Sequence, residues 1–123
     1  MLNDDAGMRR SAAALGKDAE DAAAAYVAGL GMRILGRNVR IRAGEVDIVA
    51  LDGETVVFIE VKARTNRRFG SALAAVDARK RRRLRAAAAA YLQFVAPQAR
   101  ARFDVLTVER DGMRLHRSAF SWP

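Results

Sequence analysis

The stretch Val56–Ala63, which reads Val-Val-Phe-Ile-Glu-Val-Lys-Ala, decides how the rest of the chain is arranged. Its apolar run is almost continuous, which is typical of a central strand covered on both faces. Two charged residues, Glu60 and Lys62, interrupt the run near its end. Because burying an unpaired carboxylate or ammonium is costly, their presence in such a strand requires either mutual pairing or a function.

A second apolar run, Val46 to Leu51, precedes this strand and contains Asp47. The intervening Asp52-Gly53 is a strong hairpin signal, so the two runs are predicted to pair as antiparallel strands. A two-residue loop at that point makes Leu51 face Glu54 and sets the register of the whole ladder. Since side chains alternate between the faces of a strand, four charged residues are predicted to share one face: Glu45, Asp47, Glu60 and Lys62.

Carboxylates at this density repel one another and require a compensating cation. In the predicted register Glu45 lies opposite Glu60, and Asp47 lies opposite Phe58 and diagonal to Glu60. Lys62 supplies one positive charge, and a divalent ion would supply two more. With oxygen ligands and neither histidine nor cysteine nearby, Mg²⁺ or Mn²⁺ is favoured over zinc. Such an ion activates water for attack on a phosphodiester, with Lys62 orienting the water or stabilising the developing charge.

A plain structural interpretation of the same residues stays open. In that interpretation Glu60 and Lys62 form an ion pair on one face of a strand end, and Asp47 is exposed on an edge. A Glu-x-Lys pair is common by itself. Its position at the end of a buried strand, beside an aspartate on the same face, is what favours a metal-dependent site.

The remaining chain predicts an α/β fold in the order α-β-β-β-α-β-β. The first strand, Met32–Ile41, is predicted to bend near Gly36. We expect a mixed central sheet of about five strands flanked by helices, a flexible tail over residues 1–11 and a single domain over residues 12–120. The other elements are predicted from helical and alternating periodicity at about residues 11–30, 77–95, 102–109 and 113–120.

Composition narrows the classes of function. The 123-residue chain has no cysteine, which excludes disulfides, thiolate zinc sites and a cysteine nucleophile. It contains neither a signal peptide nor a stretch of roughly 20 apolar residues, so we expect a cytoplasmic protein. The net charge of +8 favours a nucleic-acid partner, although scattered solvated charges would also produce it.

Basic residues are concentrated in two places near the predicted site. The loop after the Glu60 strand carries Arg64, Arg67 and Arg68, and the long helix directs Arg81 and Arg82 outward, so these five residues are candidate phosphate contacts. Asp77 is predicted to cap that helix, and the predicted buried stripe runs through Lys80 and Leu84 to Val95. We expect Arg102 and Asp104 to form a structural ion pair, and His116 to be a surface residue of the last strand.

At these residues the sequence resembles the YraN-like family of uncharacterised bacterial proteins. The main agreement lies in Gly44–Ala50 and in Val57–Arg64, and shorter matches surround them. These shorter matches are Gly16–Glu20 with Tyr26, Asn38–Arg40, Phe69-Gly70, Lys80 and Arg102–Val105. The match runs over residues 16–109, most of the chain. That family resembles the restriction-endonuclease-like superfamily, whose relatives include archaeal Holliday-junction resolvases.

The resemblance implies a restriction-endonuclease-like fold with a PD-(D/E)-x-K type site. Asp47 and Glu60 would be the metal-binding acids, Lys62 the catalytic lysine, and Glu20 an additional acid near the metal. Val46 stands where the superfamily motif has proline. The implied function is a Mg²⁺-dependent DNA endonuclease, acting on branched or structured DNA and forming a homodimer. Two alternatives stay open: a non-catalytic nucleic-acid-binding module with the same scaffold, and an accessory protein that docks on an acidic partner.

Overall fold

The structure, a computed structural model, describes residues 17–41, 44–63 and 77–121. These ranges contain two helices and five strands in the predicted order, and the predicted α/β class is confirmed. The predicted tail, residues 1–11, lies outside the described residues, and the single-domain prediction is untested. The elements are α1 (Lys17–Gly29), β1 (Arg33–Ile41), β2 (Gly44–Asp52), β3 (Thr55–Ala63), α2 (Ala78–Val95), β4 (Arg100–Glu109) and β5 (Gly112–Phe120).

The five strands form one mixed sheet in the spatial order β1-β2-β3-β4-β5. Every neighbouring pair is antiparallel except β3 and β4, which are parallel. A parallel pair needs a crossover connection, and α2 lies in that crossover. The predicted irregularity of the first strand is confirmed, because the pairing of β1 with β2 shifts register between Ile34 and Gly36.

The hairpin between β2 and β3 differs from its prediction by two residues. Leu51 pairs with Val56 rather than with Glu54, and Asp52 pairs with Thr55. The turn therefore consists of Gly53 and Glu54. Gly53 has a positive φ of 63°, a conformation that glycine adopts without steric cost and that two-residue hairpin turns require. Because the shift is an even number of residues, the alternation of faces within β3 is unchanged.

The sheet separates two apolar clusters, one under each helix. The face toward α2, called the α2 face, includes Phe58, Phe103 and Val105 packed against Leu84 and Ala87. The face toward α1, called the α1 face, includes Ile59, Val61 and Leu106 packed against Ala23 and Val27. Along β3 the two sets alternate, as expected of a strand buried on both sides. None of the helices in the described ranges is long and apolar enough to span a membrane.

The start of α2 is positioned by a cap and by a close contact with β2. Asp77 is the predicted N-cap, and its side chain accepts a hydrogen bond from the Lys80 backbone N–H at 2.9 Å. Gly44 lies so close to the helix that an added Cβ would be 2.6 Å from the Arg83 carbonyl oxygen. Val95 lies at the other end of the predicted buried stripe, but it is 59% exposed, so its predicted burial is wrong.

Candidate active site

Asp47 lies where the regular alternation of β2 is interrupted. Val46 and Val49 are three residues apart, yet both pack in the cluster of the α2 face. Backbone pairing of β2 with β3 ends at Ile48 and Ile59. Beyond that point the Asp47 carboxylate replaces a backbone carbonyl, because its Oδ2 accepts a hydrogen bond from the Val61 N–H at 2.8 Å. The Asp47 side chain is therefore fixed toward β3 and buried, with 5% of the residue exposed.

Glu60 projects from β3 on the α2 face, two residues after Phe58. Only 2% of the residue is exposed. Its Oε2 lies 3.0 Å from the Lys80 Nζ and 3.5 Å from the Lys62 Nζ. These are ion-pair distances, but their angles do not suit a hydrogen bond, and this buried oxygen has no hydrogen-bond partner in the described part of the chain. A buried charged oxygen without a hydrogen bond is costly, so the position is suited to another ligand.

Glu60 lies close enough to Asp47 to affect the ionisation of that aspartate. Burial, together with the negative charge of Glu60, raises the pKa of Asp47 to about 7. The Val61 N–H and the charge of Lys80 act in the opposite direction on the same pKa. Asp47 is therefore harder to ionise than an exposed aspartate, because it is buried and because the Glu60 carboxylate is its neighbour.

These features fit a hard divalent cation. Two buried carboxylates, one of which has an oxygen without a hydrogen bond, provide the oxygen donors that Mg²⁺ and Mn²⁺ prefer. The described residues contain no group of three or more acidic, histidine or cysteine side chains able to hold a metal. Asp47 and Glu60 are therefore the carboxylates that this part of the chain offers, and Mg²⁺ commonly keeps several waters when it binds through one or two carboxylates.

Lys62 extends the polar surface of this face toward β4. Its side chain is 13% exposed. The pKa of Asp77 is lowered chiefly by the Lys80 backbone N–H and also by the charge of Lys62, so the lysine acts on the helix cap as well as on Glu60. In the parallel register Lys62 pairs with Thr107, which is 1% exposed.

His116 lies on the edge strand β5, as predicted, and has a polar partner there. The histidine is half-buried, and its Nε2 lies 3.1 Å from the Thr107 Oγ1. The same hydroxyl donates to the Glu109 Oε2 at 2.9 Å. A polar row therefore continues from Lys62 across β4 to β5. Sequence reasoning missed it because the parallel pairing that aligns Thr107 with Lys62 joins segments far apart in the chain.

The structure does not bring Glu20 into the group formed by Asp47 and Glu60. The Glu20 Oε1 accepts a hydrogen bond from the Asn38 Nδ2 at 3.2 Å and lies 3.9 Å from the Arg37 Nη2. Asn38 has a positive φ of 52° in β1, at the level of the interruption in β2. The contacts of Glu20 are therefore with β1 and not with the two acids, and its role as a metal ligand stays a prediction.

Glu45 is also outside the group, and the prediction that it shares the face of Asp47 is wrong. Its Oε1 lies 3.8 Å from the Arg40 Nε. The prediction assumed unbroken alternation along β2. Gly44 and Val46 both face α2, which directs the intervening Glu45 to the other side of the strand.

Comparison with known proteins places the chain among bacterial relatives. A family model described as uncharacterised protein family UPF0102 matches residues 19–108. The chain belongs to this family. The UPF0102 protein of Pseudomonas aeruginosa (strain LESB58) is 47% identical over 103 residues, covering 82% of each chain. The UPF0102 protein of Halorhodospira halophila is 46% identical over 107 residues, covering 85% of each. That of Frankia casuarinae is 48% identical over 102 residues, covering 82% of this chain and 86% of its own.

The family resemblance predicted from the sequence is therefore confirmed. The matched region of this UPF0102 protein includes the two acids and both lysines of the site. Lys80 is the residue that sequence reasoning left without a role. A signal was present, because a lysine on the apolar stripe of a helix, three residues after the cap, requires a buried anion to face.

Of the five arginines predicted to contact phosphates, two are among the described residues. Arg64, Arg67 and Arg68 lie outside the described residues. Arg82 is exposed and Arg81 is half-buried, and both belong to the first two turns of α2, the helix that brings Lys80 to Glu60. In this UPF0102 protein the positive charge of α2 is thus adjacent to the acidic pair.

Proposed function

We propose that this UPF0102 protein is a metal-dependent nuclease that hydrolyses phosphodiester bonds in DNA. The observation that carries the proposal is the Glu60 Oε2, a buried carboxylate oxygen without a hydrogen-bond partner in the described structure. It lies beside a second buried acid, Asp47, whose pKa is raised to about 7. Perturbed carboxylates of this kind are concentrated at functional sites. A cytoplasmic location and a restriction-endonuclease-like fold belong to the same proposal.

In this proposal each residue has a definite part in the reaction. Asp47 and Glu60 hold Mg²⁺ or Mn²⁺, and the ion would supply Lewis-acid activation of water and of the scissile phosphate. The Val61 N–H keeps the Asp47 carboxylate in place. The Lys62 ammonium orients the attacking water or stabilises charge on the phosphate oxygens. Arg81 and Arg82 position the DNA backbone through its phosphates.

The test is cleavage of a panel of linear, flap and four-way DNA in the presence of Mn²⁺. We expect the wild-type protein to cleave at least one substrate, and Asp47→Asn, Glu60→Gln and Lys62→Met each to reduce the rate by about a hundred-fold or more. Circular dichroism verifies that the variants are folded. Absence of Mn²⁺ binding by calorimetry at millimolar ion would overturn the proposal. The resemblance to resolvases makes four-way DNA the substrate of first choice, and a homodimer is tested by sedimentation.

A non-catalytic nucleic-acid-binding module is the second candidate. The net charge of +8 and the arginine-rich start of α2 favour it without any reference to the acids. It predicts salt-dependent DNA binding that survives Asp47→Asn and Glu60→Gln, with no cleavage of any substrate in the panel. The same samples therefore separate the two candidates.

A further inference from the structure

We propose that Lys80 occupies the cation position on Glu60 and gives it up when a divalent ion binds, so that this lysine sets the metal affinity of the site. The inference rests on the proposed metal-dependent function. It adds a positioning residue from α2 to the acids and lysine supplied by the strands, and it assigns the Lys80 side chain a role in competition with the metal.

The first argument is the crowding of cations on one oxygen. Two ammonium groups lie within ion-pair distance of the Glu60 Oε2, with Lys80 at 3.0 Å and Lys62 at 3.5 Å. Together they place about two positive charges where a divalent ion would place the same number. The oxygen nevertheless has no hydrogen bond among the described residues, so the contacts are electrostatic and not fixed in direction.

The second argument identifies Lys80 as the cation that exchanges. Its side chain is 33% exposed, compared with 13% for Lys62, and it arises from the first turn of α2 rather than from a core strand. Water can solvate the ammonium of a lysine with a third of its side chain exposed once it leaves Glu60, and the incoming ion replaces its charge on the buried carboxylate. The charge of Lys80 also acts on Asp47. The ammonium therefore lies against Glu60, one of the two acids that would hold the ion, and its charge also favours the ionised form of the other.

The third argument is repulsion. An ion held by Asp47 and Glu60 would lie within a few ångströms of the Lys80 ammonium if the lysine stayed in place. Like charges in a poorly solvated space repel strongly, so the two cations exclude each other. Removal of the Lys80 charge is then expected to strengthen metal binding, whereas a residue that merely supports the fold would weaken binding or leave it unchanged when replaced.

The experiment is calorimetric titration of Mn²⁺ into wild type, Lys80→Met, Lys80→Arg and the control Arg79→Met. We expect Lys80→Met to lower the Kd for Mn²⁺ by about ten-fold, equivalent to about 1.4 kcal/mol. Lys80→Arg keeps the charge and is expected to retain an affinity near that of wild type. Arg79→Met removes an exposed charge from the same helical turn and is expected to change the Kd less than about two-fold.

The outcomes separate this inference from the proposed function. If wild type binds Mn²⁺ and Lys80→Met binds it equally or more weakly, the inference is wrong and the nuclease proposal is unaffected. Absence of binding in both proteins overturns the nuclease proposal, and the inference with it. If both proteins bind Mn²⁺ and Lys80→Met binds it about ten-fold more tightly, the inference is supported. If Lys80→Met does not fold, Lys80→Gln takes its place, and the same ten-fold tightening is expected.

Discussion

The protein has buried carboxylates on both faces of the sheet, and the two sets differ in their hydrogen-bond and ion-pair partners. On the α1 face Asp104 is 0% exposed, but it accepts hydrogen bonds from the Arg102 guanidinium at 3.0 Å and from the Ser118 N–H at 2.9 Å. Arg102 also donates to Asp52 at 2.8 Å, and Arg117 donates to the same carboxylate at 3.1 Å. We call these four side chains, Asp52, Arg102, Asp104 and Arg117, the arginine network.

On the α2 face the balance is different. Asp47 and Glu60 are equally buried, but one Glu60 oxygen has no hydrogen bond among the described residues, and its cations are lysines rather than guanidinium groups. Guanidinium groups bind carboxylates in a planar, two-pronged geometry that locks both partners, whereas an ammonium is a point charge that is easily displaced. Under the proposed function, the arginine network serves stability and the lysine-facing acids serve metal binding.

The largest expected effect follows from substituting one acid of each group. Asp104→Asn removes the charge that pairs with the partly buried Arg102, and loss of one partner from such a pair commonly costs about 3–5 kcal/mol. Asp47→Asn keeps an oxygen for the Val61 N–H and removes repulsion with Glu60. At about pH 8 without metal, we expect its free energy of unfolding to be unchanged or raised by about 1 kcal/mol. Urea denaturation measures both. Equal losses in the two variants would contradict the comparison.

A smaller effect is expected from Gly44→Ala, which acts near Asp47 and Glu60 and not on the arginine network. The added methyl would lie 2.6 Å from the Arg83 carbonyl oxygen and 2.8 Å from the Ala87 Cβ, so α2 must move away from β2. Overpacking of this kind costs about 1–3 kcal/mol. We also expect weaker Mn²⁺ binding, because β2 carries Asp47. Denaturation and calorimetry measure the two effects.

Gly29→Ala is the matched control for this substitution. No atom lies within 4 Å of a Cβ at Gly29, and its φ is not positive. We expect its stability and Mn²⁺ affinity to equal those of wild type. If Gly44→Ala behaves in the same way as Gly29→Ala, close packing of the helix does not position the site.

The two groups are expected to respond to pH in opposite directions. The pKa of Asp47 is raised from 3.8 to about 7, so its contribution to stability is present below the lower value and is lost as pH rises through about 7. Without metal, the free energy of unfolding should fall by about 1 kcal/mol from about pH 6 to about pH 8. Hydrogen bonding from Arg102 lowers the pKa of Asp52, so that contribution is lost only in acid, below its ordinary value.

Denaturation across this range, with Asp47→Asn as the control, measures the effect. The fall above about pH 6 should disappear in the variant. In saturating Mn²⁺ it should reverse in wild type, because metal binding requires the ionised carboxylate. A fall that persists unchanged in Asp47→Asn would assign the titration to another group.

The contrast between the two groups also shows what sequence alone could predict. The strand Val56–Ala63 was recognisable because its apolar run needs cover on both faces, and its two charges were recognisable as exceptions. Asp77 was recognisable as a helix cap from its chemistry. The turn was placed one residue too early, which shifts the pairing register by two. Asp52-Gly53 and Gly53-Glu54 are both compatible with a glycine-containing hairpin, and only the cross-strand packing distinguishes them.

The site was harder to predict because its geometry depends on tertiary contacts. The interruption of β2 at Asp47 removes Glu45 from the face that regular alternation assigned to it. The approach of Lys80 depends on how α2 packs against β2, which the sequence indicates only through Gly44. The alternative with Asp47 exposed on an edge is wrong, since β2 is an inner strand and Asp47 is buried. The ion pair of that alternative, Glu60 with Lys62, is present.

The smallest expected effect distinguishes the arginines of the two groups. Arg82 is exposed on α2, two residues after Lys80, whereas Arg117 is engaged with Asp52 in the arginine network. If Arg82 contacts a phosphate, Arg82→Ala should weaken DNA binding several-fold at about 50 mM salt. It should also reduce the slope of log affinity against log salt by about one. Arg117→Ala removes the same charge and should change neither quantity. Equal weakening by both would mean that only net charge matters, and α2 would have no special position on the DNA.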